Sequence, residues 1–171
     1  MKKILLTFCL ITGLGFAAQA QKFATVDMAY IMKNIPAFES ANEQLNLVSK
    51  KWQAEVEELM KEVQQLYKNY QTELVFMSDE MKVKREDEII AKEKAAQELK
   101  RKYFGPDGEL FKKRESLMKP IQDEVYNAIQ EISTAKGLDL VFDKSSAMSA
   151  IFVSPKIDIS DEVLKKLGYS K

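Results

Sequence analysis

The chain contains no histidine, one cysteine, and few glycine and proline residues. Its 171 residues include 6 Gly, 4 Pro and the single thiol of Cys9. Without an imidazole, the chain lacks the commonest general base and the commonest transition-metal ligand, which argues against triad-type catalysis and against zinc or copper sites. The scarcity of turn residues argues against a β-sandwich or a barrel. Charged residues, at 30 % of the chain, instead favour long, solvent-exposed helices.

The first twenty residues have the features of a secretory signal peptide. Lys2 and Lys3 precede an apolar run over residues 4–18, and an Ala-Gln-Ala sequence that ends at Ala20 offers a cleavage site. The run is shorter than the roughly 20 apolar residues of a membrane-spanning helix. We therefore expect an exported protein that begins at Gln21 and carries 24 basic and 26 acidic residues, a net charge of −2, with no cysteine.

Apolar spacing in the middle of the chain predicts a long helical hairpin. Over residues 45–74 apolar side chains recur every three or four positions, and over 52–70 they alternate strictly by four and three, which makes a heptad seam. A second helix follows Ser78 or Asp79, either of which suits its N-cap. Because so narrow a stripe is buried only by another helix, we expect the two helices to pack antiparallel. The second helix contributes a thinner seam of Ile89, Ala96, Leu99 and Tyr103.

Shorter elements precede the hairpin and follow it. Residues 22–27 are typical of a strand, residues 28–33 of a short helix, and Pro36 of the first turn of the next helix. After the hairpin, the Gly-Pro-Asp-Gly sequence at 105–108 ends the second helix. A broader apolar face returns over 110–132, which indicates a helix that packs into a body.

The last third of the chain is predicted to combine helix and strand. Pro120 predicts a kink or a restart in the helix that Gly137 ends. Strands are predicted at 138–143 and 150–153. A final short helix is predicted to start with Ser160 as its N-cap.

Together these elements predict an α+β fold that is mainly α. A signal peptide over 1–20 precedes a single domain over 21–171, which comprises a base of three short strands per chain (21–36 and 109–171) and a long antiparallel helical arm (37–108). Strands this short are not stable alone. They are covered either by the chain's own apolar helix or by neighbouring subunits, and both arrangements are compatible with the sequence.

The polar residues do not form a catalytic pattern. Ser145 and Ser146 have no histidine partner, and no glycine-rich loop ends in Lys-Ser or Lys-Thr to hold a phosphate. The aspartates near the predicted strands lack the fixed spacing of an acid–base pair. We therefore expect a protein that is not an enzyme and uses neither a metal nor another cofactor. The aspartates are Asp139, Asp143, Asp158 and Asp161.

Three segments carry a family resemblance when they are considered with the signal peptide and the charged hairpin. They are Phe-Ala-Thr-Val-Asp at 23–27, Gly-Leu-Asp-Leu-Val-Phe-Asp at 137–143, and Ile-Asp-Ile-Ser-Asp-Glu-Val-Leu-Lys-Lys-Leu at 157–167. In this pattern essentially all of residues 21–171 resembles the Skp/OmpH family of periplasmic chaperones. The resemblance implies a homotrimer, a trimer of tentacles in which the strands join into a central β body and three helical arms enclose unfolded outer-membrane proteins without using ATP.

The resemblance also implies partners, and the charge of the chain restricts them. It implies unfolded outer-membrane proteins as clients and, for some members, lipopolysaccharide or a membrane surface. Well-known members are strongly basic, whereas this chain has equal numbers of basic and acidic residues. The near-neutral charge therefore argues against lipopolysaccharide, and with export it argues against nucleic acid.

Adaptable apolar side chains on the arm are the candidate client contacts, because a chaperone that accepts many sequences avoids a single fitted pocket. The competing interpretation, which applies to Tyr103 in particular, is that these residues only fill the hairpin seam. Apolar residues of the predicted strands are the candidate contacts between subunits. The client residues are Met60, Tyr67, Phe76, Met77, Met81, Tyr103 and Phe104, and the subunit residues are Phe23, Val26, Leu138, Leu140, Phe142, Ile151 and Val153.

A passive coiled-coil spacer, or an assembly subunit of an envelope complex, is the alternative function. A spacer is expected to end its arm in a polar turn or a docking motif. Phe76, Met77 and Met81 instead place apolar groups at the predicted tip, which favours the chaperone.

We predict that the exported protein begins at Gln21, because the apolar run ends at a small-residue cleavage site. N-terminal sequencing or intact mass of the protein from native periplasm measures its first residue. Recovery of a chain that retains Met1 in the membrane fraction would contradict the prediction.

Overall fold

The computed structural model describes residues 21–146 and 151–169, so the predicted signal peptide lies outside the described residues. These residues fall into two units, the base unit (21–34, 124–146 and 151–169) and the arm unit (35–123). The elements are β1 (Phe23–Val26), α1 (Met28–Lys33), α2 (Pro36–Glu73), α3 (Asp79–Phe104), α4 (Glu109–Lys136), β2 (Leu140–Asp143) and α5 (Ser160–Lys166), with 3-10 turns at Leu74–Phe76 and Pro155–Ile157.

Two parallel strands form the sheet of the base unit. β1 and β2 pair with Phe23 opposite Leu140. On the other side of β1, a single bridge joins Thr25 to Asp158, and the Ile159 N–H donates to the Thr25 carbonyl oxygen at 2.9 Å. β1 therefore has hydrogen-bonded neighbours on both of its edges.

The predicted strand at 150–153 is wrong for residues 151–153, which form no strand, and Ala150 lies outside the described residues. Its residue types suit a strand, but a strand forms only where a neighbour supplies backbone hydrogen bonds. The edge of β1 away from β2 is taken by Asp158 instead. The described residues thus contain two strands where three were predicted.

The core of the base unit combines β1, α1, the end of α4 and α5. Three of the four β1 residues are buried within the chain itself, whereas β2 leaves Leu140 and Phe142 exposed. α1 contacts α5, and the Tyr30 hydroxyl donates to Asp161 Oδ1 at 2.9 Å across that contact. The buried apolar side chains of this unit are Ala24, Val26, Ile31, Met32, Val125, Ala128, Ile132, Ile159, Val163 and Leu164.

α4 is one uninterrupted helix, so the predicted restart at Pro120 is wrong. Pro120 removes the N–H that would bond to the carbonyl oxygen of Ser116, but both residues are exposed and that oxygen is free to bond to water. Gly137 ends the helix as predicted. Its φ of 61° is in the left-handed region, and the Leu138 N–H donates to the Ser133 carbonyl oxygen at 2.9 Å.

The start of α5 differs from the prediction, because Ser160 is its first helical residue and Ile159 is its N-cap. The buried Ser160 hydroxyl accepts a hydrogen bond from the Asp27 N–H at 2.8 Å and donates to Asp158 Oδ1 at 2.6 Å. Asp158 Oδ1 also accepts from the Ser160 N–H at 2.9 Å. The carboxylate of Asp158, and not Ser160, therefore satisfies the first N–H of the helix.

Lys144 links the end of β2 to the segment that precedes α5. Its Nζ lies 2.6 Å from Asp158 Oδ2 and 3.7 Å from Asp27 Oδ2. Burial by itself would raise the pKa of Asp158, but the hydrogen bonds from Lys144 and Ser160 outweigh it, so this pKa lies below its usual value. The hydrogen bond to Asp158 is the main cause that raises the pKa of Lys144.

The arm unit contains α2, α3 and the first half of α4. Pro36 is the first residue of α2, as predicted. The C-cap of α3 is Gly105, where a Cβ would lie 2.4 Å from the Arg101 carbonyl oxygen, so only glycine fits. The buried apolar side chains of this unit are Ile35, Ala41, Leu45, Val56, Ile89, Ala96 and Ile121.

We predict that Asp158→Asn lowers the free energy of unfolding at neutral pH by about 1–2 kcal/mol, because it removes a charge-assisted hydrogen bond. The folded-state pKa of Asp158 lies below the unfolded value of about 3.9, so its contribution is present at neutral pH and is lost as the pH falls through the folded-state pKa. Urea unfolding of both proteins at neutral pH and in strong acid measures this, and the difference should shrink in acid.

The matched control for this prediction is Asp123→Asn. Asp123 pairs with Lys119 on the surface of α4, where both side chains are more than half exposed, so we expect little change at any pH. Equal destabilisation by the two substitutions, or an Asp158→Asn effect of the same size in acid, would count against the proposed role of the Asp158 contact.

Candidate functional site

α2 and α3 pack as an antiparallel hairpin along the predicted seam. Val56 on α2, and Ile89 and Ala96 on α3, are buried. Near the end of α3, the rings of Trp52 and Tyr103 stack with their centroids 4.7 Å apart and an angle of 6° between their planes. These residues of the predicted seam therefore lie between the two helices.

Hydrogen bonds between side chains also join the two helices at three levels along the hairpin. At each level a hydroxyl or ammonium group donates to a glutamate of the other helix, and the positions rise along α2 as they fall along α3. A shift of one helix by a single residue would break these contacts, so they fix the register. They are Tyr103 to Glu55 at 2.6 Å, Lys92 to Glu62 at 2.9 Å, and Tyr70 to Glu86.

The glutamates shift the pKa values of their partners. The hydrogen bond to the carboxylate is the main cause that raises the pKa of Tyr70 and of Tyr103, and desolvation adds to it. The hydrogen bond to Glu62 likewise raises the pKa of Lys92. All three donors therefore keep their protons at neutral pH.

The tip of the hairpin is the 3-10 turn Leu74–Phe76. Val75 and Phe76 are 85 % and 87 % exposed. α3 then begins at a predicted cap, because Ser78 Oγ accepts a hydrogen bond from the Met81 N–H at 3.3 Å. The tip thus presents apolar side chains to solvent.

The predicted client residues lie in two kinds of surroundings. Tyr103 stacks in the seam against Trp52, and Met77 is half-buried beside the tip. The remaining five are exposed, and their contact with a client stays a prediction. These five are Met60, Tyr67, Phe76, Met81 and Phe104.

Sequence reasoning missed six further exposed apolar residues of the arm unit, which are Leu47, Leu74, Val75, Val83, Ile90 and Phe111. Val83 and Ile90 are seven residues apart, and Phe104 lies fourteen residues after Ile90, so the three share one face of α3. A search for apolar residues at seven-residue intervals outside the seam would have found Val83 and Ile90.

The base sheet exposes an apolar face beside a free strand edge. Phe23 and Leu140 are opposite each other in the register, and Phe142 lies two residues further on the same face of β2. Their exposed fractions are 45 %, 46 % and 51 %. In the described part of the chain β2 pairs with β1 alone.

The other predicted subunit residues differ in their exposure. Val26 is 3 % exposed, so its side chain belongs to the core of the chain itself. Leu138 and Val153 are half-buried, and Ile151 is fully exposed. Fewer residues than predicted are therefore available for contact with another subunit.

The described residues were also compared with the requirements of a membrane span and of a metal site. None of the described helices combines the length and the apolar character that a bilayer crossing needs. The described residues also contain no group of three or more His, Cys, Asp or Glu side chains placed to hold a metal ion.

Comparison with known proteins gives a consistent family and fold. The family model for OmpH-like outer membrane proteins matches residues 22–167. An uncharacterized protein from Aquifex aeolicus (strain VF5) is 28 % identical over 167 residues, which cover 98 % of this chain and 96 % of the relative. The fold is similar to that of a Caulobacter crescentus protein described as an OmpH-like outer membrane chaperone, with a TM-score of 0.68, 13 % identity, and coverage of 88 % of this chain and 86 % of the other.

Proposed function

The chain belongs to the OmpH-like family of outer membrane proteins, and we propose that it acts as a holding chaperone of the periplasm. In this proposal it binds unfolded outer-membrane proteins and keeps them from aggregating before membrane insertion. It carries out no catalysis and uses neither ATP nor another cofactor.

The observation that supports this proposal most directly is the exposure of apolar side chains on the arm unit, with Val75 and Phe76 at the tip as the most exposed. A soluble protein that only spaced two other components apart would gain nothing from such groups, and each of them favours aggregation. A chaperone needs them, because unfolded clients are recognised through their apolar side chains.

The chemistry of the exposed residues suits clients of many sequences. Methionine is flexible and polarizable, and aromatic rings bury a large area, so both adapt to differently shaped partners. The arm unit also carries many Lys and Glu residues, which keep it soluble while it is empty. Contacts with a client would be many and individually weak.

We propose further that the base unit joins three copies of the chain. A parallel two-stranded sheet is not stable with an open apolar face, because parallel sheets are normally covered on both sides. Phe23, Leu140 and Phe142 form such a face beside the free edge of β2. The resemblance to the Skp/OmpH family supports three copies.

We predict that Leu140→Asp or Phe142→Asp abolishes assembly. A carboxylate forced into an apolar interface without a partner costs several kcal/mol, on the order of 3–5 kcal/mol. Light scattering coupled to size-exclusion chromatography gives the mass. Ile90→Asp is the control, since Ile90 is an exposed apolar residue that lies on the arm, and it should leave the trimer intact. A wild-type monomer or dimer at micromolar concentration would contradict the prediction.

We also predict that a shortened arm still assembles but protects clients less well. Deletion of residues 60–66 together with 89–95 removes one heptad from each helix at the same level, so Glu62 and Lys92 are lost together. The Trp52–Tyr103 stack and the Tyr70–Glu86 contact keep their positions in the seam. Removing a further heptad from each helix should reduce protection again.

The measurement is light scattering by a β-barrel protein diluted from urea, with full-length and shortened proteins at equal trimer concentration. Protection should fall with each heptad removed and should not change when ATP is added. Full protection by the shortened trimers would mean that the arm is not the binding surface, and the spacer function would then be the better interpretation.

A further inference from the structure

We propose that, apart from the tip residues Val75 and Phe76, the hairpin binds its client with one side only, through a stripe of six exposed apolar side chains. This inference rests on the proposed chaperone function and assigns the surface on which it operates. The ligand is an unfolded polypeptide, which the stripe holds through separate aromatic and aliphatic side chains. The stripe consists of Met60, Tyr67 and Leu74 from α2 and its end, and of Val83, Ile90 and Phe104 from α3.

Helical periodicity places the three residues from each helix on one face. Met60, Tyr67 and Leu74 are seven residues apart, which is close to two helical turns and about 10.5 Å. On α3 the positions at the same interval are 83, 90, 97 and 104. Val83, Ile90 and Phe104 occupy three of them, and Gln97 occupies the fourth. All six are between 37 % and 60 % exposed. Each helix therefore carries a second apolar line outside the seam.

A recess shows that the two lines lie on the same side of the hairpin. Met60 and Phe104 line this recess, whose volume is about 410 Å³, together with Val56 of the seam and Lys100. Residues at intervals of seven from Met60 along α2 lie on that side of the hairpin, and so do residues at intervals of seven from Phe104 along α3. The six side chains therefore form a single stripe, and the recess at one end of it has room for an apolar side chain.

The opposite side of the hairpin is polar. Glu55 and Glu62 reach across it to Tyr103 and Lys92 of α3. Over residues 55–102, the positions at seven-residue intervals on this side are polar or small, except Phe76 and Met81 at the tip. They are Glu55, Glu62 and Asn69 on α2, and Glu88, Ala95 and Lys102 on α3.

The spacing of the stripe favours an unfolded chain over a folded helical partner. A packed helix needs an apolar residue at every third or fourth position, as the seam provides. The stripe provides one for every two turns on each helix, with polar residues between. An unfolded chain in the polyproline II conformation has three residues per turn and advances about 3.1 Å per residue, so side chains three residues apart point the same way about 9 Å apart and reach successive points of one line. Such separate contacts suit a flexible ligand that binds without fixed register.

Charge on the stripe side selects no particular sign of client. The polar residues that lie between or beside the apolar ones include both acids and bases, so their fields largely cancel and binding should depend weakly on salt. The stripe would therefore recognise a client through its apolar side chains and not through its charge. These polar residues include Glu57, Lys61 and Lys68 on α2 and Glu86, Glu93 and Lys100 on α3.

The first test compares two triple variants of the assembled full-length protein. Met60→Gln, Tyr67→Gln and Ile90→Gln together remove half of the stripe. Leu47→Gln, Phe111→Gln and Tyr126→Gln together remove three helical side chains that are 46–68 % exposed and lie outside the stripe. The measurement is the Kd for a dye-labelled β-barrel protein diluted from urea. We expect at least about tenfold weaker binding for the stripe variant and less than about threefold for the control, with little effect of salt.

The second test uses the absence of cysteine after Cys9. Two single-cysteine variants are made in the chain that begins at Gln21. Tyr67→Cys lies on the stripe, and Asn69→Cys lies at nearly the same level on the polar side. A photoreactive thiol reagent is attached to the cysteine of each variant. We expect adducts with the client from position 67 and few from position 69. These single variants test the stripe even if a triple variant folds poorly, which circular dichroism would reveal.

The outcomes separate this inference from the proposed function. If the wild-type protein binds no unfolded barrel protein, the chaperone function fails and the stripe fails with it. If the wild-type protein binds but the two triple variants bind equally well, or both sides of the hairpin give client adducts equally, only the stripe is refuted. Adducts between two copies from position 67, unchanged by added client, would mean that another copy covers the stripe and would also refute it.

Discussion

The packing of α2 against α3 along one heptad seam is the constraint on which the arm unit depends. α2 is 38 residues long, yet only a narrow line of its surface is apolar, and such a line is buried only by another helix. The Trp52–Tyr103 stack and the contacts to glutamates fix where along α2 the second helix lies. Once this register is set, it determines which of the other side chains of the hairpin lie beside the seam and which face solvent.

The same constraint leaves apolar side chains without partners. Two helices bury one line each, so Tyr67 and Ile90, which lie just outside the seam, have nothing in the hairpin to cover them. The apolar surface of the base differs in kind. Phe23, Leu140 and Phe142 are adjacent there, beside a strand edge that offers backbone hydrogen bonds, which suits a lasting and specific partner. Sparse contacts on the arm suit transient binding, so the assembly and the client holding proposed above would use different surfaces of one small chain.

Predictions from the sequence succeeded where the cause is local. The strand at β1, the start of α2 at Pro36, the cap at Ser78 and the end of α4 at Gly137 all depend on residues within one or two turns. They failed where a distant residue decides. Ser160 does not cap its helix because its buried hydroxyl bonds to the Asp27 N–H, 133 residues earlier.

The sequence by itself determined the mainly helical class, the hairpin, its seam and the shortage of catalytic groups, because periodicity and composition express the local preferences of the backbone. Only the tertiary structure decided which apolar residues are covered. Val26 and Phe142 both lie in short apolar strands, yet Val26 is buried in its own chain and Phe142 is half exposed. That difference depends on which elements pack against each strand, and those contacts join residues more than a hundred positions apart.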